Sequence, residues 1–398
     1  MALTIMLHSY TFSNFQSFRQ QTEVSTKVGE KVVDSDWIAT SPTGDRVNKV
    51  MAVMGANGSG KTTLLKPLVF VDWFICHSFG LAPDAPIPLT PHFSAEDEPV
   101  EFSVTGDLEG HVWRYVLRCT PQRVLHEALY KKKERFSYVF VRHWDESLQS
   151  YLIKQQDFGF ASGEARRVRE NASLISTAAQ YGVPLAKRLA QPKVYSNITA
   201  LGRQPLSQDL LLNAATHFSQ QIEQRNLMTR LLRDWDLGLD NVELEEIPVP
   251  QPDGSSRKIW LPMGVHQTGA GPRKLNFLLE SSGTQGALVL LSYLLPALHH
   301  GGLAIIDEFE NDLHPHMLEP ILGLFASPVT NPGNARLLFT CHSAEVLNLL
   351  HKSQILLVEK DQNCESTAWR LDDIEGVRND DNFYAKYMAG AYGAVPRL

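Results

Sequence analysis

Gly55-Ala56-Asn57-Gly58-Ser59-Gly60-Lys61-Thr62 is a full match to G-x-x-x-x-G-K-[ST], and it sits in the setting that pattern requires. The apolar run Val50-Met51-Ala52-Val53-Met54 precedes it and Thr63-Leu64-Leu65 follows, so strand, glycine-rich turn and helix are predicted in succession. Gly55, Gly58 and Gly60 lack a Cβ, which lets the backbone curl and aim several N–H groups at one anion. The positive end of the helix adds to that attraction. Lys61 is placed to reach the β- and γ-phosphates, and the Thr62 hydroxyl to ligate Mg²⁺. An incidental glycine-rich turn would not bring strand and helix into register on either side. The segment from Gly55 through Thr63 is therefore the expected cradle of a nucleoside triphosphate.

The rest of the composition narrows the setting. The 398 residues suffice for two or three domains and a large core, and 43% hydrophobic with 20% charged residues is ordinary for a soluble globular protein. A net charge of −7 gives bulk nucleic-acid binding no support. The basic runs Lys131-Lys132-Lys133 and Arg166-Arg167-Val168-Arg169 read first as solvated faces, leaving a local nucleic-acid contact open. Cys76, Cys119, Cys341 and Cys364 form no C-x-x-C pair and have no histidine at zinc spacing, so neither a metal cluster nor a disulfide framework is expected. The first residues lack the charged start and apolar core of a signal peptide, and the apolar stretch Ala287–Leu298 is too short to span a bilayer. A cytoplasmic protein without a membrane partner is the expectation.

Along the chain, residues 3–28 alternate well enough for two strands with a turn at Asn14–Ser17, and a loop is expected at Ser35–Arg46. A Pro-rich break at Ala82–Pro91 leads into strand-like runs at Val100–Thr105, Val112–Cys119, His126–Lys131 and Tyr138–Arg142, which read as a meander. From Asn171 to Asp236 the pattern is helical, and no heptad persists long enough for a coiled-coil arm. Pro-Asp-Gly within Pro248–Arg257 predicts a hairpin turn. After Gly271, strand–helix alternation predicts a parallel sheet.

Three blocks carry further chemistry. Leu303-Ala304-Ile305-Ile306-Asp307-Glu308 is a buried-type strand ending in two carboxylates: Asp307 suits Mg²⁺, and Glu308 suits a general base that polarises water. Their long separation from Gly55 fits a head domain split by an insertion rather than a small GTPase. Glu280-Ser281-Ser282-Gly283-Thr284-Gln285-Gly286 precedes the run Ala287–Leu291, and small residues at such a helix start can offer amides and a hydroxyl to a phosphate. The competing reading is an ordinary N-cap at Ser281 or Ser282. Ala335-Arg336-Leu337-Leu338-Phe339-Thr340-Cys341-His342-Ser343 is a third buried strand, ending in a histidine.

The Ser-x-Gly-x-Gln block resembles the signature motif of ABC-type ATPases in its divergent SMC, RecF and OLD-like form, and the interval from Gly283 to Asp307 fits that class. This resemblance implies an α/β fold: an ABC-type P-loop ATPase head, with a mixed central sheet and an antiparallel β subdomain, interrupted by a helical insertion. The expected divisions are an N-terminal lobe at 1–158, the insertion at 159–240 and a C-terminal lobe at 241–398. It further implies that Ser281, Ser282, Gly283 and Gln285 complete the ATP site of a second protomer, so that two chains sandwich two ATP molecules with Mg²⁺, alone or within a larger oligomer. It makes Asp307-Glu308 the Walker B pair, Asn311-Asp312-Leu313-His314-Pro315 the dimer-facing D-loop, and His342 the switch histidine that senses the γ-phosphate.

Nearly the whole chain is similar to one group, through Asn14-Phe15-Gln16-Ser17-Phe18, the Tyr115 strand, Asp307-Glu308-Phe309-Glu310-Asn311-Asp312-Leu313-His314-Pro315 and the closing Tyr387–Pro396 block. The group comprises the OLD-like AAA/ABC ATPases of restriction-associated and abortive-infection (RloA/AbiL-type) phage-defence loci. Phe309-Glu310 departs slightly from that group's usual leucine-acid pair. The stretch after Val358 is too short for the Toprim nuclease domain of OLD nucleases, so a nuclease or toxin effector is expected on a separate polypeptide. Two other functions compete: an ATP-held scaffold that sequesters an effector with little turnover, and a RecF- or SMC-like repair ATPase. A transporter's nucleotide-binding subunit fits the insertion and tail least.

Overall fold

The computed structural model describes residues 6–250, 256–311 and 313–396. The Pro-Asp-Gly turn, Asp312 and residues 1–5 lie outside the described residues.

The chain opens with β1 (Met6–Ser13), β2 (Thr22–Ser25), β3 (Ile38–Thr40), β4 (Arg46–Asn48), β5 (Val50–Met54) and helix α1 (Lys61–His77). A meander follows: β6 (Val100–Leu108), β7 (His111–Cys119), β8 (Val124–Lys132), β9 (Phe136–Asp145) and β10 (Ser150–Gln155). Next come α2 (Ser162–Ala165), α3 (Leu174–Gln180), α4 (Pro184–Leu189), β11 (Val194–Ser196), β12 (Ile198–Thr199), β13 (Gly202–Arg203), α5 (Gln208–Gln220) and α6 (Ile222–Asp234). The last third holds β14 (Asn241–Pro250), β15 (Ser256–Thr268), β16 (Gly271–Asn276), α7 (Ser282–His300) and β17 (Leu303–Ile306). It ends with α8 (Leu318–Ala326), β18 (Arg336–Thr340), β19 (Ile355–Lys360), β20 (Ser366–Arg370) and α9 (Phe383–Met388).

The central sheet runs β11-β17-β18-β5-β19-β20, parallel except for the last strand. Every residue of β5, β17 and β18 is buried, which explains their unbroken apolar runs: strands covered on both faces need no alternation. Successive side chains still point to opposite faces and so enter two different cores. Met51 and Val53 join α1 and the antiparallel sheet β10-β9-β8-β7-β6-β1-β2. Val50, Ala52 and Met54 join the layer of α5, α6, α7 and α8. The phosphate-loop strand is thus clamped between two apolar layers. The result is the expected α/β P-loop head, a mixed central sheet with an antiparallel β subdomain.

Two expectations need correction. Ser35–Arg46 is not one open loop, since β3 and β4 pair as a short hairpin across it. The stretch 159–240 is not a purely helical insertion: β11 pairs in parallel with β17 and forms an edge of the central sheet. Three residues are too few for a period to register, so this strand was illegible in the sequence.

Buried polar groups tie the layers together. Glu127, wholly buried on β8, accepts from Tyr115 Oη at 3.0 Å, Ser173 Oγ at 2.7 Å and the Leu174 amide at 2.8 Å. The equally buried Arg142 lies 3.5 Å away and donates to three carbonyls of 168–172. Through these bonds the pair fixes the start of α3 against the meander.

Candidate active site

The loop between β5 and α1 has the backbone its glycines permit. Gly58 and Gly60 have φ of +73° and +109°, where side-chain-bearing residues are strained. A Cβ on Gly60 would come 2.6 Å from Ser366 Oγ and 2.9 Å from Ser17 Oγ, and one on Gly55 would strike the Val358 carbonyl. Ser366 Oγ donates to the Ser59 carbonyl at 2.6 Å, so β20 and the Asn14–Phe18 turn brace the loop from outside. Asn57 and Gly58 are exposed, and Ser59 Oγ is buried without a partner among the described residues. Gly60 supplies no side-chain cap to α1, which leaves first-turn N–H groups for a ligand.

Lys61 is buried, and its Nζ donates to the carbonyls of Gly55 at 2.9 Å and Ala56 at 3.1 Å. Burial holds its pKa below the usual lysine value, against the opposing pull of Asp307, Glu310, Glu308 and Cys341. Thr63 Oγ1 turns away to Gln16 Oε1, at 3.2 Å.

β17 and β18 deliver the carboxylates and the histidine to the same end of the sheet. Thr62 Oγ1 lies 2.9 Å from each Asp307 oxygen. Thr340 Oγ1 donates to Asp307 Oδ1 at 2.7 Å and accepts from the Glu308 amide at 2.8 Å, locking the strand end. Glu308 has φ of +50°, a conformation held by that amide contact. Its Oε2 accepts from Arg203 at 2.7 Å. His342 Nδ1 lies 3.4 Å from Lys61 Nζ, and the His342 amide donates to Glu310 Oε1. The structure thus brings Lys61, Thr62, Asp307, Glu308 and His342 into one cluster.

Sequence reasoning missed Thr340, Asn197 and Arg203. Asn197 Oδ1 accepts from the Asp307 amide at 2.8 Å, and its Nδ2 donates to the Asp307 carbonyl at 3.0 Å. It reaches there because β11 lies beside β17, a pairing no local pattern announced. Asn197→Ala leaves the Asp307 amide without its acceptor and is expected to cost about 1–3 kcal/mol, read as a lower urea midpoint. An unchanged midpoint would refute that role.

Ser281, Ser282, Gly283 and Gln285 start α7. Ser281 is its N-cap, accepting from the Thr284 amide at 3.2 Å, and Gln285 Nε2 donates to the Glu280 carbonyl at 2.9 Å. Among the described residues none of the four hydrogen-bonds to the phosphate loop within the protomer, and Ser281 and Ser282 are exposed. Ser281→Ala is expected to cost about 1 kcal/mol in chemical denaturation through the lost cap. The Glu359-Lys360-Asp361 turn ends β19, where Glu359 Oε2 accepts from the Ala394 amide and anchors the closing block. In the second basic run, Arg169 donates to the Leu81 carbonyl at 2.7 Å, a structural use of that charge.

These residues fit a magnesium triphosphate. A threonine hydroxyl and a buried carboxylate side by side are hard oxygen ligands of the kind Mg²⁺ takes alongside water and phosphate. Among the described residues no group of three His, Cys, Asp or Glu could hold a metal without such help. Among them, too, no helix is long and apolar enough to cross a membrane.

The family described as "AAA domain, putative AbiEii toxin, Type IV TA system" matches residues 50–348. No curated protein matches the chain significantly. Among solved structures, the SMC head domain from Thermotoga maritima aligns at 11% identity over 92% of this chain and 98% of that one, with a TM-score of 0.42. The Smc head domain with an extended coiled coil bound to the C-terminal domain of ScpA, derived from Pyrococcus furiosus, aligns at 10% identity over 92% and 96%, with a TM-score of 0.44.

Proposed function

The chain belongs to the family of AAA domains described as putative AbiEii toxin, Type IV TA system, and on that premise we propose that it binds and hydrolyses ATP. The observation that carries this reading is the convergence of Lys61, Thr62, Asp307 and His342 on one loop, with Glu308 beside them. The amides of 55–63 and the Lys61 ammonium bind the phosphates and neutralise them. Thr62 and Asp307 would hold Mg²⁺, which when bound would offset negative charge on the phosphates. Glu308 takes a proton from the attacking water, and His342 positions that water against the γ-phosphate. Expelling bulk water strengthens each of these contacts.

The exposed start of α7 supports a composite site. Ser282 and Gly283 of one protomer meet the triphosphate of its partner, so ATP closes a homodimer and hydrolysis reopens it. That cycle controls a separate effector, a nuclease or toxin, in an anti-phage setting of the OLD-like, RloA/AbiL kind. The family's description, which names a putative toxin of a type IV TA system, supports a link to such systems; the separate effector and the anti-phage setting belong to the proposal alone.

The test combines Mg²⁺-dependent phosphate release with intact-complex mass measurement, with and without ATP, on material purified from its native host. The reading expects turnover, an ATP-dependent doubling of mass and a co-purifying second polypeptide. Absence of both turnover and mass change would defeat it.

A further inference from the structure

Beside the cluster lies a segment that, among the described residues, makes no hydrogen bond to the loop 55–63. Residues 196–204 run from the end of β11 through the β12–β13 hairpin, and they are fastened to the end of β17 along their length. Ser196 Oγ donates to the Ile305 carbonyl at 2.7 Å, Asn197 holds both main-chain groups of Asp307, and the Gln204 amide returns to the Asn197 carbonyl at 2.8 Å. Ile198 is buried in the core, and Lys66 of α1 reaches the Ala200 carbonyl. Tyr293 of α7 donates to Gln204 Oε1 at 3.3 Å. A segment tied at so many points moves with β17 rather than away from it.

The hairpin's last residue, Arg203, pairs opposite Ile198 and sends one guanidinium nitrogen to Glu308 Oε2 at 2.7 Å. Glu308 is thereby held at main chain and side chain: its backbone amide donates to Thr340 Oγ1, and its Oε2 accepts from Arg203. Oε1 takes no hydrogen bond from a described residue, and the side chain is about two-fifths exposed at 39%. One oxygen is anchored and the other faces solvent. That is the arrangement a base needs if its free lone pair is to meet a water in one direction.

We propose that Arg203 is a positioning residue for hydrolysis, fixing Glu308 through Oε2 so that Oε1 is presented to the attacking water. This rests on the ATPase reading above and adds a residue to it. Arg203 touches neither phosphate nor water in this role, so it governs the rate of the chemical step and leaves nucleotide affinity alone. A lysine in its place keeps a charge that can reach Oε2 but loses the planar fork that fixes direction.

The experiment is steady-state ATP hydrolysis and equilibrium binding of a fluorescent ATP analogue by the full chain and its Arg203→Ala, Arg203→Lys and Arg203→Ala/Glu308→Gln variants. Arg203→Ala is expected to lower kcat about 10-fold, with KM and analogue affinity within about twofold of wild type. Arg203→Lys is expected to recover part of the loss, and the double variant to turn over no more slowly than Glu308→Gln alone. A loss confined to KM or affinity, full additivity in the double variant, or an undiminished kcat would each overturn the assignment. A wild-type chain without turnover would instead remove the ATPase reading, and this inference with it. Circular dichroism melts guard against mere unfolding. Should Arg203→Ala unfold, Arg203→Lys decides alone: an unchanged kcat supports no directional role and counts against the proposal.

Discussion

Glu308→Gln is expected to keep ATP binding while losing about 10²- to 10⁴-fold in turnover, the range a general base supplies. Glutamine has nearly the shape of glutamate, so the amide contact with Thr340 and a contact from Arg203 to the remaining carbonyl oxygen can both persist. What disappears is the ability to accept a proton. Because φ of +50° at this position is held by the backbone rather than by the carboxylate, the fold should tolerate the change. On the proposed composite site the consequence for assembly is large: ATP that binds without being hydrolysed should hold two chains together, and gel filtration with ATP should show a particle of twice the mass that persists for hours. Turnover within threefold of wild type would show that another group activates the water. Of the nearby carboxylates, Glu310 would be examined next, since one of its oxygens faces the His342 amide.

Lys61→Ala acts one step earlier. The ammonium now bonds to two carbonyls of its own loop, a placement that keeps it satisfied and aimed at the site. Removing it takes a charge-assisted contact from each of the phosphates it would reach, and such contacts contribute about 1.5–3 kcal/mol apiece. ATP affinity is expected to fall about 10²- to 10⁴-fold, measured by fluorescence titration in Mg²⁺. Stability is expected to respond in the opposite sense. Burial depresses the lysine's pKa, which means that the nucleotide-free fold bears an unfavourable charge there, so the variant should unfold no more readily than wild type. Undiminished ATP affinity would remove Lys61 from the phosphate contacts.

How much of this was legible beforehand depended on whether the signal was local. The phosphate loop announced itself because strand, glycines and lysine are consecutive, and the carboxylate strand because burial on both faces demands an uninterrupted apolar run. The meander was legible through alternation, as in β7, where Trp113, Tyr115, Leu117 and Cys119 turn inward. Asn197, Arg203 and Thr340 were not, since each acquires its role from a neighbour more than thirty positions away in the chain. Within 159–240 the helices α2–α6 follow the helical pattern, and only the short strands among them lack a local signal, for the same reason. A three-residue strand is specified by the edge it joins rather than by its own composition. Ser281 was read two ways, and within the protomer it is an N-cap. The cap and an exposed hydroxyl turned toward a neighbour are compatible, because the hydroxyl lies at the helix start in either case.

The position of β5 between β18 and β19 has a bearing on biosynthesis. Both of its neighbours belong to the last third of the polypeptide, so this wholly apolar strand leaves the ribosome long before the strands that will shield it. Such distant pairing slows assembly and leaves nascent chains prone to clumping. Fragments ending before residue 336 should therefore collect as insoluble material or remain on chaperones, and triphosphate should be captured only once residues 336–360 have been made.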